Sequence, residues 1–90
     1  MVDLAALAEM LVERLDSRWR WPDLAFSISV HADSIVVSIS PAESLHRHRY
    51  VLKHRLYAPD LDALQRQGGL DDLAAAMLRS ADRFANVVAA

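Results

Sequence analysis

The sequence has no cysteine, two glycines, three prolines and only 7% aromatic residues in a chain of 90. Without cysteine the chain forms no disulfide, thiolate metal site or cysteine nucleophile. Gly68 and Gly69 are adjacent, so there is no glycine-rich loop to cradle a phosphate. No apolar run approaches the ~18 residues that span a bilayer, and the N-terminus lacks a basic region followed by an apolar stretch. We therefore expect a cytoplasmic protein that uses no cofactor and no membrane partner.

The composition supports one small folded domain. Hydrophobic residues make up 53% of the chain and charged residues 24%, which is typical of a globular protein. A chain of this length has enough apolar surface for one core, so we expect residues 1–90 to form a single domain. The net charge of −2 argues against a surface that seeks polyanions everywhere.

Positive charge is concentrated in one segment, "HRHRYVLKHRLY", from His46 to Tyr57. This segment holds three of the four histidines and four of the ten Lys and Arg residues, and it contains no acid. Its residues alternate with the two-residue period of a β-strand. We therefore predict a strand with one strongly cationic face.

Periodicity predicts a helix followed by three strands. "DLAALAEMLVERLDS" carries apolar residues at the spacing of one helical face, and Asp3 is placed to cap it. "LAFSISV" and "SIVVSIS" alternate with a period of two on either side of a short turn. "LHRHRYVLKHRLY" resumes the alternation and predicts the third strand.

Two helices complete the predicted α-β-β-β-α-α order. "APDLDALQRQGG" predicts a short helix with Asp60 as its cap and the glycine pair as its stop, and a long amphipathic helix starts at Leu70. The result is an α+β fold, a three-stranded antiparallel meander with its helices on one face. The covered face is predicted to carry Phe26, Ile28, Val37, Ile39, Tyr50 and Leu52. The bare face is predicted to carry Ala25, Ser27, Ser29, Val36, Ser38, Ser40, Arg47, Arg49, Lys53 and Arg55.

A metal site is the first chemistry that the histidines suggest. His46 and His48 lie ~6–7 Å apart on one strand face, a spacing that lets two imidazoles bind one zinc ion. His54 or His31 could supply a third ligand. A cationic side chain follows each member of the pair and disfavours a dication, and Glu43 is the only acid nearby in the sequence. We expect no metal, and we predict His48 and His54 at the edge of the covered face with hydrogen-bonded ring nitrogens.

The order of helix, three strands and helix resembles the double-stranded-RNA-binding domain over most of the chain. That family grips phosphates with a lysine cluster at the start of its final helix and a Gly-Pro-x-His loop between strands. Here the final helix opens "GGLDDLAAA", with Asp71 and Asp72 where phosphate would sit, and the turn "HADS" has no Gly-Pro. The likeness therefore implies a shared topology without that family's RNA grip.

No nucleophile motif is present, and the paired carboxylates stand at helix starts, so we expect no enzyme. By elimination the chain is predicted to be a small protein-interaction module, an adaptor, assembly factor or inhibitor of bacterial or phage type. It would bind an acidic partner protein through the bare basic sheet face. The predicted partner-binding residues are Arg47, Arg49, Lys53, Arg55, Tyr57, Trp19 and Trp21.

Two alternatives stay open. Nucleic acid is the other candidate partner for the same basic strand, which would bind single strands by charge and by stacking on Tyr57. Self-association is also predicted, because apolar residues flank the stripes of both long helices: Leu78, Val87, Met10 and Val12. Of the two tryptophans, we expect one to close the end of the core and the other to be an exposed contact residue.

Overall fold

A computed structural model describes residues 3–42 and 51–89, with side chains as far as residue 87. Within these ranges the elements are α1 Leu4–Arg18, β1 Leu24–Val30, β2 Ser34–Pro41, β3 Leu52–Tyr57, α2 Ala58–Arg66 and α3 Leu70–Ala89. The predicted α+β class and element order are confirmed. None of the helices in the described ranges combines the length and the apolar character needed to cross a membrane.

The first helix begins as its sequence predicts. Asp3 is the N-cap, and its carboxylate accepts a hydrogen bond from a backbone N–H of the first turn at 3.2 Å. The helix ends at Arg18, and Trp19 then takes an extended conformation. One face is fixed on the core by leucines that are at most 1% exposed: Leu7, Leu11 and Leu15.

The sheet is an antiparallel meander in the order β1-β2-β3. Ile39 of the central strand lies opposite Phe26 on one side and Leu52 on the other. The inward residues of β2 are almost completely buried, and they are Ile35, Val37 and Ile39. They pack against buried side chains of all three helices, so the helices cover the face that the alternation predicts.

The core has two parts. The larger one lies beneath most of α1, from Leu7 to Leu15, and beneath the N-terminal half of α3, and it includes Leu61 of α2. The smaller one closes the end of the sheet where β1 begins, and its buried members are Leu24, Ile39 and Ala81. Partly buried side chains surround this second part: Trp19, Trp21, Phe26, Leu52, Phe84 and Ala85. The segment that links α1 to β1 is therefore held to the core by its two tryptophans.

The second helix begins three residues earlier than a cap at Asp60 would allow. Its N-cap is Tyr57, which makes no side-chain capping bond, and Asp60 lies inside the first turn, so the predicted cap is wrong. Pro59 explains the difference, because its missing N–H falls in the first turn, where helical N–H groups have no partner in any case.

The predicted stop of α2 at the glycine pair is confirmed. Gly68 has a φ of 67°, the left-handed conformation that glycine adopts most easily. Its N–H donates to the Gln65 carbonyl at 3.1 Å, and the Gly69 N–H donates to the Leu64 carbonyl at 2.9 Å. This pair of bonds is a Schellman motif, which ends one helix and lets α3 start at once.

The third strand alternates as predicted over its described length. Lys53, Arg55 and Tyr57 are exposed, while Leu52, His54 and Leu56 are half-buried. The Nε2 atom of His54 is buried and has no hydrogen-bond partner among the described residues. The predicted hydrogen bond of this histidine is therefore not seen there, because Nε2 faces the apolar side of the sheet.

Candidate anion-binding sites

The first candidate site is the open sheet face, the side of the sheet turned away from the helices. Across this face Ser38 lies opposite Ser27 and Lys53, and Val36 lies opposite Ser29 and Arg55. Its described strand residues include no carboxylate, and they are Ala25, Ser27, Ser29, Ser34, Val36, Ser38, Ser40, Lys53, Arg55 and Tyr57. Hydroxyl donors beside two cations suit an anionic ligand.

One end of the open sheet face is less bare than the sequence predicts. Val36 is only 8% exposed and Ser34 is fully buried. Arg55 lies opposite Val36, and its Nη1 donates to the Ser34 hydroxyl at 2.8 Å. Ser34 in turn donates to the Asp33 carboxylate at 3.1 Å. The prediction of a bare face is wrong at this end, because the Arg55 side chain extends across it. One nitrogen of its guanidinium group already donates a hydrogen bond within the fold.

Much of the predicted basic row falls outside the description. Arg47 and Arg49, together with His46, His48 and Tyr50, lie outside the described residues. Of the remaining candidates on the strand, Tyr57 is 48% exposed and belongs to the same face as Lys53 and Arg55. The structure thus brings three of the five predicted strand residues onto one surface.

The two tryptophans have different environments. The Trp19 indole N–H donates to the backbone carbonyls of Trp21 and Leu24, each at 3.1 Å. Its ring also packs on Phe26, with centroids 4.8 Å apart. Trp21 meets Trp19 edge-on at 5.0 Å, and the Arg20 guanidinium lies 5.1 Å from its ring centroid. Trp19 therefore holds the α1–β1 connection in place, while Trp21 carries a cation on its ring.

A pocket of about 460 Å³ opens beside Trp21, between the end of α1 and the middle of α3. We call it the arginine pocket, and its lining residues are Arg18, Arg20, Trp21, Leu78, Arg79, Asp82 and Arg83. It contains four of the ten Lys and Arg residues of the chain and one acid. No described part of the open sheet face concentrates as much positive charge.

Helix packing brings these arginines together. Arg14 pairs with Asp71 at 2.6 Å, and further along both segments Arg20 pairs with Asp82 at 3.7 Å. Arg14 precedes Arg20 in the chain just as Asp71 precedes Asp82, so α1 and α3 lie side by side and point in the same direction. On α3 the positions 79, 82 and 83 share one side of the helix at i, i+3 and i+4 spacing. The pocket therefore forms where the C-terminal end of α1 meets that side of α3.

The charges of the arginine pocket are poorly balanced. Asp82 is its single carboxylate, and it pairs with Arg20. Among the described residues, no carboxylate lies within 4.0 Å of the guanidinium groups of Arg18, Arg79 or Arg83. Guanidinium groups that share a pocket repel one another, and a bound anion would relieve that repulsion.

Sequence reasoning named Trp21 but missed the arginines beside it. Arg18 and Arg20 lie about sixty positions before Arg79 and Arg83 in the chain, so no local pattern joins them. The sequence contains only a weak signal for this pocket. The apolar stripe of α3 leaves positions 79, 82 and 83 on its exposed side, and the apolar stripe of α1 predicts that these two helices pack together.

The described residues hold no group of three or more His, Asp or Glu side chains close enough to bind a metal ion. His31, the described candidate in the first hairpin, lies with its Nε2 3.2 Å from the Ser29 hydroxyl. The H-x-H pair lies outside the description, so the expectation of a metal-independent protein stays a prediction.

Comparison with known proteins gave no match to a protein family, to a curated protein or to a solved structure.

Proposed function

We propose that this protein is a non-catalytic interaction module that binds an acidic segment of a partner protein, with the arginine pocket as the main contact. The supporting observation is the collection of four guanidinium groups and an indole ring around one pocket that holds a single carboxylate. Arginine forms paired hydrogen bonds with carboxylates, and it is common with tryptophan at the energetic centre of protein interfaces.

The size of the pocket favours side chains as ligands. Its volume of about 460 Å³ would accept two or three acidic side chains of a peptide. Leu78 and Trp21 add apolar surface to its lining, which suits an acidic segment that also carries an apolar residue. Backbone binding of nucleic acid uses a longer track of cations, because phosphates repeat along each strand. Four cations gathered around one pocket, rather than spread along a track, therefore favour an acidic protein over nucleic acid.

The open sheet face is the second proposed contact. Lys53 is exposed there, and Tyr57 is 48% exposed beside it. Arg55 contributes less free charge because its guanidinium already donates to Ser34. We expect this surface to bind an acidic partner more weakly than the arginine pocket does. The cytoplasmic location expected from the sequence belongs to the same proposal, and cell fractionation tests it.

Two double charge-reversal variants compare the arginine pocket with the open sheet face as the main contact. Arg79→Glu with Arg83→Glu alters the pocket, and Lys53→Glu with Arg55→Glu alters the sheet face by the same net charge. Binding of a fluorescein-labelled peptide rich in Asp, Glu and Leu is followed by anisotropy, with circular dichroism and melting curves for every variant. We expect the pocket pair to weaken binding by roughly tenfold or more and the face pair by only a few-fold.

Equal losses in the two variants would show that net charge alone drives binding, and they would overturn the pocket as the main contact. The same assay with a labelled single-stranded oligonucleotide tests the alternative partner. Tighter binding of the oligonucleotide, with a steep fall as salt is raised, would favour nucleic acid over an acidic protein.

A further inference from the structure

The two edges of the sheet differ in how they are protected. At one edge, β3 carries Lys53, His54 and Arg55 within six residues. At the other, β1 reads "LAFSISV" and contains no charge and no proline over seven residues. Charged residues and proline are the usual means by which proteins stop an edge strand from pairing with another chain. The β1 edge has neither.

The hydrogen bonds of the first hairpin show which backbone groups β1 presents outward. His31 N–H donates to the Ser34 carbonyl, and at the other end Ala42 N–H donates to the Asp23 carbonyl. In an antiparallel pair the bonding direction alternates, so the odd-numbered residues of β1 face β2 and the even-numbered residues face outward. Leu24 uses both of its groups within the chain, with Trp21 and Trp19 as partners.

Three residues of β1 therefore present their N–H and C=O groups along the outer edge: Phe26, Ile28 and Val30. None of these six groups has a hydrogen bond outside the strand ladder in the described part of the chain. The apolar side chains of the same three residues point to the helix-covered face. The edge thus combines free backbone groups with an apolar flank.

An apolar groove of about 390 Å³ runs beside this edge, between α1 and β1. Its lining is Ala5, Ala8, Glu9, Val12, Ile28 and Val30, of which only Glu9 is charged. Val12 is 39% exposed and Val30 is 47% exposed, and they are two of the four large apolar side chains that the described surface exposes. Within the part of the chain that the structure describes, the groove and the edge form one continuous surface that no other element covers.

We propose that a second copy of this chain pairs with the protein along β1, about a two-fold axis that passes beside Ile28. In this register Ile28 lies opposite Ile28 of the other copy, and Phe26 lies opposite Val30. All three outward N–H groups and all three outward C=O groups of each copy then find partners. The two meanders join into one six-stranded sheet.

The sequence of β1 favours a second copy over an unrelated strand. Ser27 and Ser29 are symmetrical about Ile28, and apolar residues flank them on both sides, so the strand reads alike in either direction. A two-fold axis normal to the sheet keeps the apolar side chains of both copies on the helix-covered face. The two α1 helices then lie side by side and cover Val12 and Val30, and the uncharged strands do not repel each other.

Sedimentation equilibrium on the whole chain, with a matched pair of variants, tests the proposal. Val30→Lys places a charge on the β1 edge at an exposed position, and Val87→Lys makes the same change at an exposed valine of α3. We expect a dimer for the wild type and for Val87→Lys, and a dimer at least roughly tenfold weaker for Val30→Lys. Circular dichroism confirms that both variants fold. A monomeric wild type, or equal effects of the two substitutions, would overturn the proposal.

The absence of cysteine allows a direct test of the register. Single Ser27→Cys and Ser29→Cys chains are mixed under oxidising conditions, since these serines lie opposite each other across the proposed axis. The α-carbons of an opposed pair are ~4.5–5.5 Å apart, within the range of a disulfide. The mixture should cross-link far faster than either variant alone. Faster cross-linking of Ser27→Cys alone would contradict this register.

The dimer is independent of the proposed binding of an acidic partner, because the β1 edge and the arginine pocket share no residue. Val30→Lys should therefore leave the affinity for the acidic peptide unchanged while it weakens the dimer. A wild-type protein that forms the dimer but does not bind the peptide would overturn the proposed function of the pocket and leave the dimer proposal standing.

Discussion

The open sheet face and the arginine pocket are both cationic, but they are built in different ways. The face is the product of one strand, whose two-residue alternation places Lys53 and Arg55 on the same side. The pocket is assembled from the end of α1 and the middle of α3 and exists only when these helices pack together. The most visible charge pattern in a sequence is therefore not always the strongest charge concentration in the fold.

The two surfaces also differ in how free their cations are. Arg55 is tied to Ser34, and through its hydroxyl to Asp33. Three arginines of the pocket have no carboxylate partner among the described residues. A cation that already donates within the fold loses part of that interaction when it binds a ligand. The pocket is therefore the better site for an anion, although the face is easier to predict.

The largest expected effect concerns the support of the pocket. Trp19→Ala removes a ring that packs on Phe26 and an N–H that donates to two backbone carbonyls. We expect it to lower the free energy of unfolding by about 3 kcal/mol. Trp21→Ala should cost much less stability and should weaken acidic-peptide binding. Urea unfolding and peptide anisotropy measure both effects. A larger loss of stability in Trp21→Ala would reverse the roles that we assign to the tryptophans.

The next effect compares a cation held by the fold with one that is free. Arg55→Ala leaves the buried Ser34 hydroxyl without its donor, so it should lower the free energy of unfolding by about 1 kcal/mol. Arg83→Ala is the matched control, and it should change stability by less than about 0.5 kcal/mol because that side chain has no ion pair in the described structure. Equal losses of the free energy of unfolding, measured with urea, would mean that the fold holds Arg55 no more than it holds Arg83.

Sequence reasoning recovered those features that follow from local periodicity. The alternation of "LAFSISV" and "SIVVSIS" and the leucine stripe of α1 are short-range patterns, so they predicted the sheet, its covered face and the helices above it. The arginine pocket depends on how α1 and α3 are aligned along their lengths, which no local pattern specifies. The burial of Val36 on the open sheet face depends on the conformation of one side chain, that of Arg55, which the sequence pattern does not predict either.

His54 allows a smaller test of the side of β3 that the helices cover. Its buried Nε2 has no hydrogen-bond partner among the described residues, and leucine would fill a similar volume without an unpaired polar atom. We expect His54→Leu to raise the free energy of unfolding by up to about 1 kcal/mol. His31→Leu, at an exposed histidine of the first hairpin, is the control and should leave stability nearly unchanged. Destabilisation by His54→Leu would indicate that this nitrogen has a partner in solution.

The smallest expected effect tests whether the charge balance of the pocket sets its affinity. Asp82 is the one acid among the pocket residues, and its pairing with Arg20 occupies a cation that a ligand would otherwise meet. Asp82→Asn should therefore raise the affinity for the acidic peptide by roughly threefold at low salt, and by less as salt screens the charge. Asp71→Asn makes the same change at the start of α3, where Arg14 is the partner, and should leave the affinity nearly unchanged. A similar gain in both variants would mean that the peptide responds to the net charge of the chain and that the position of Asp82 in the pocket has no special effect.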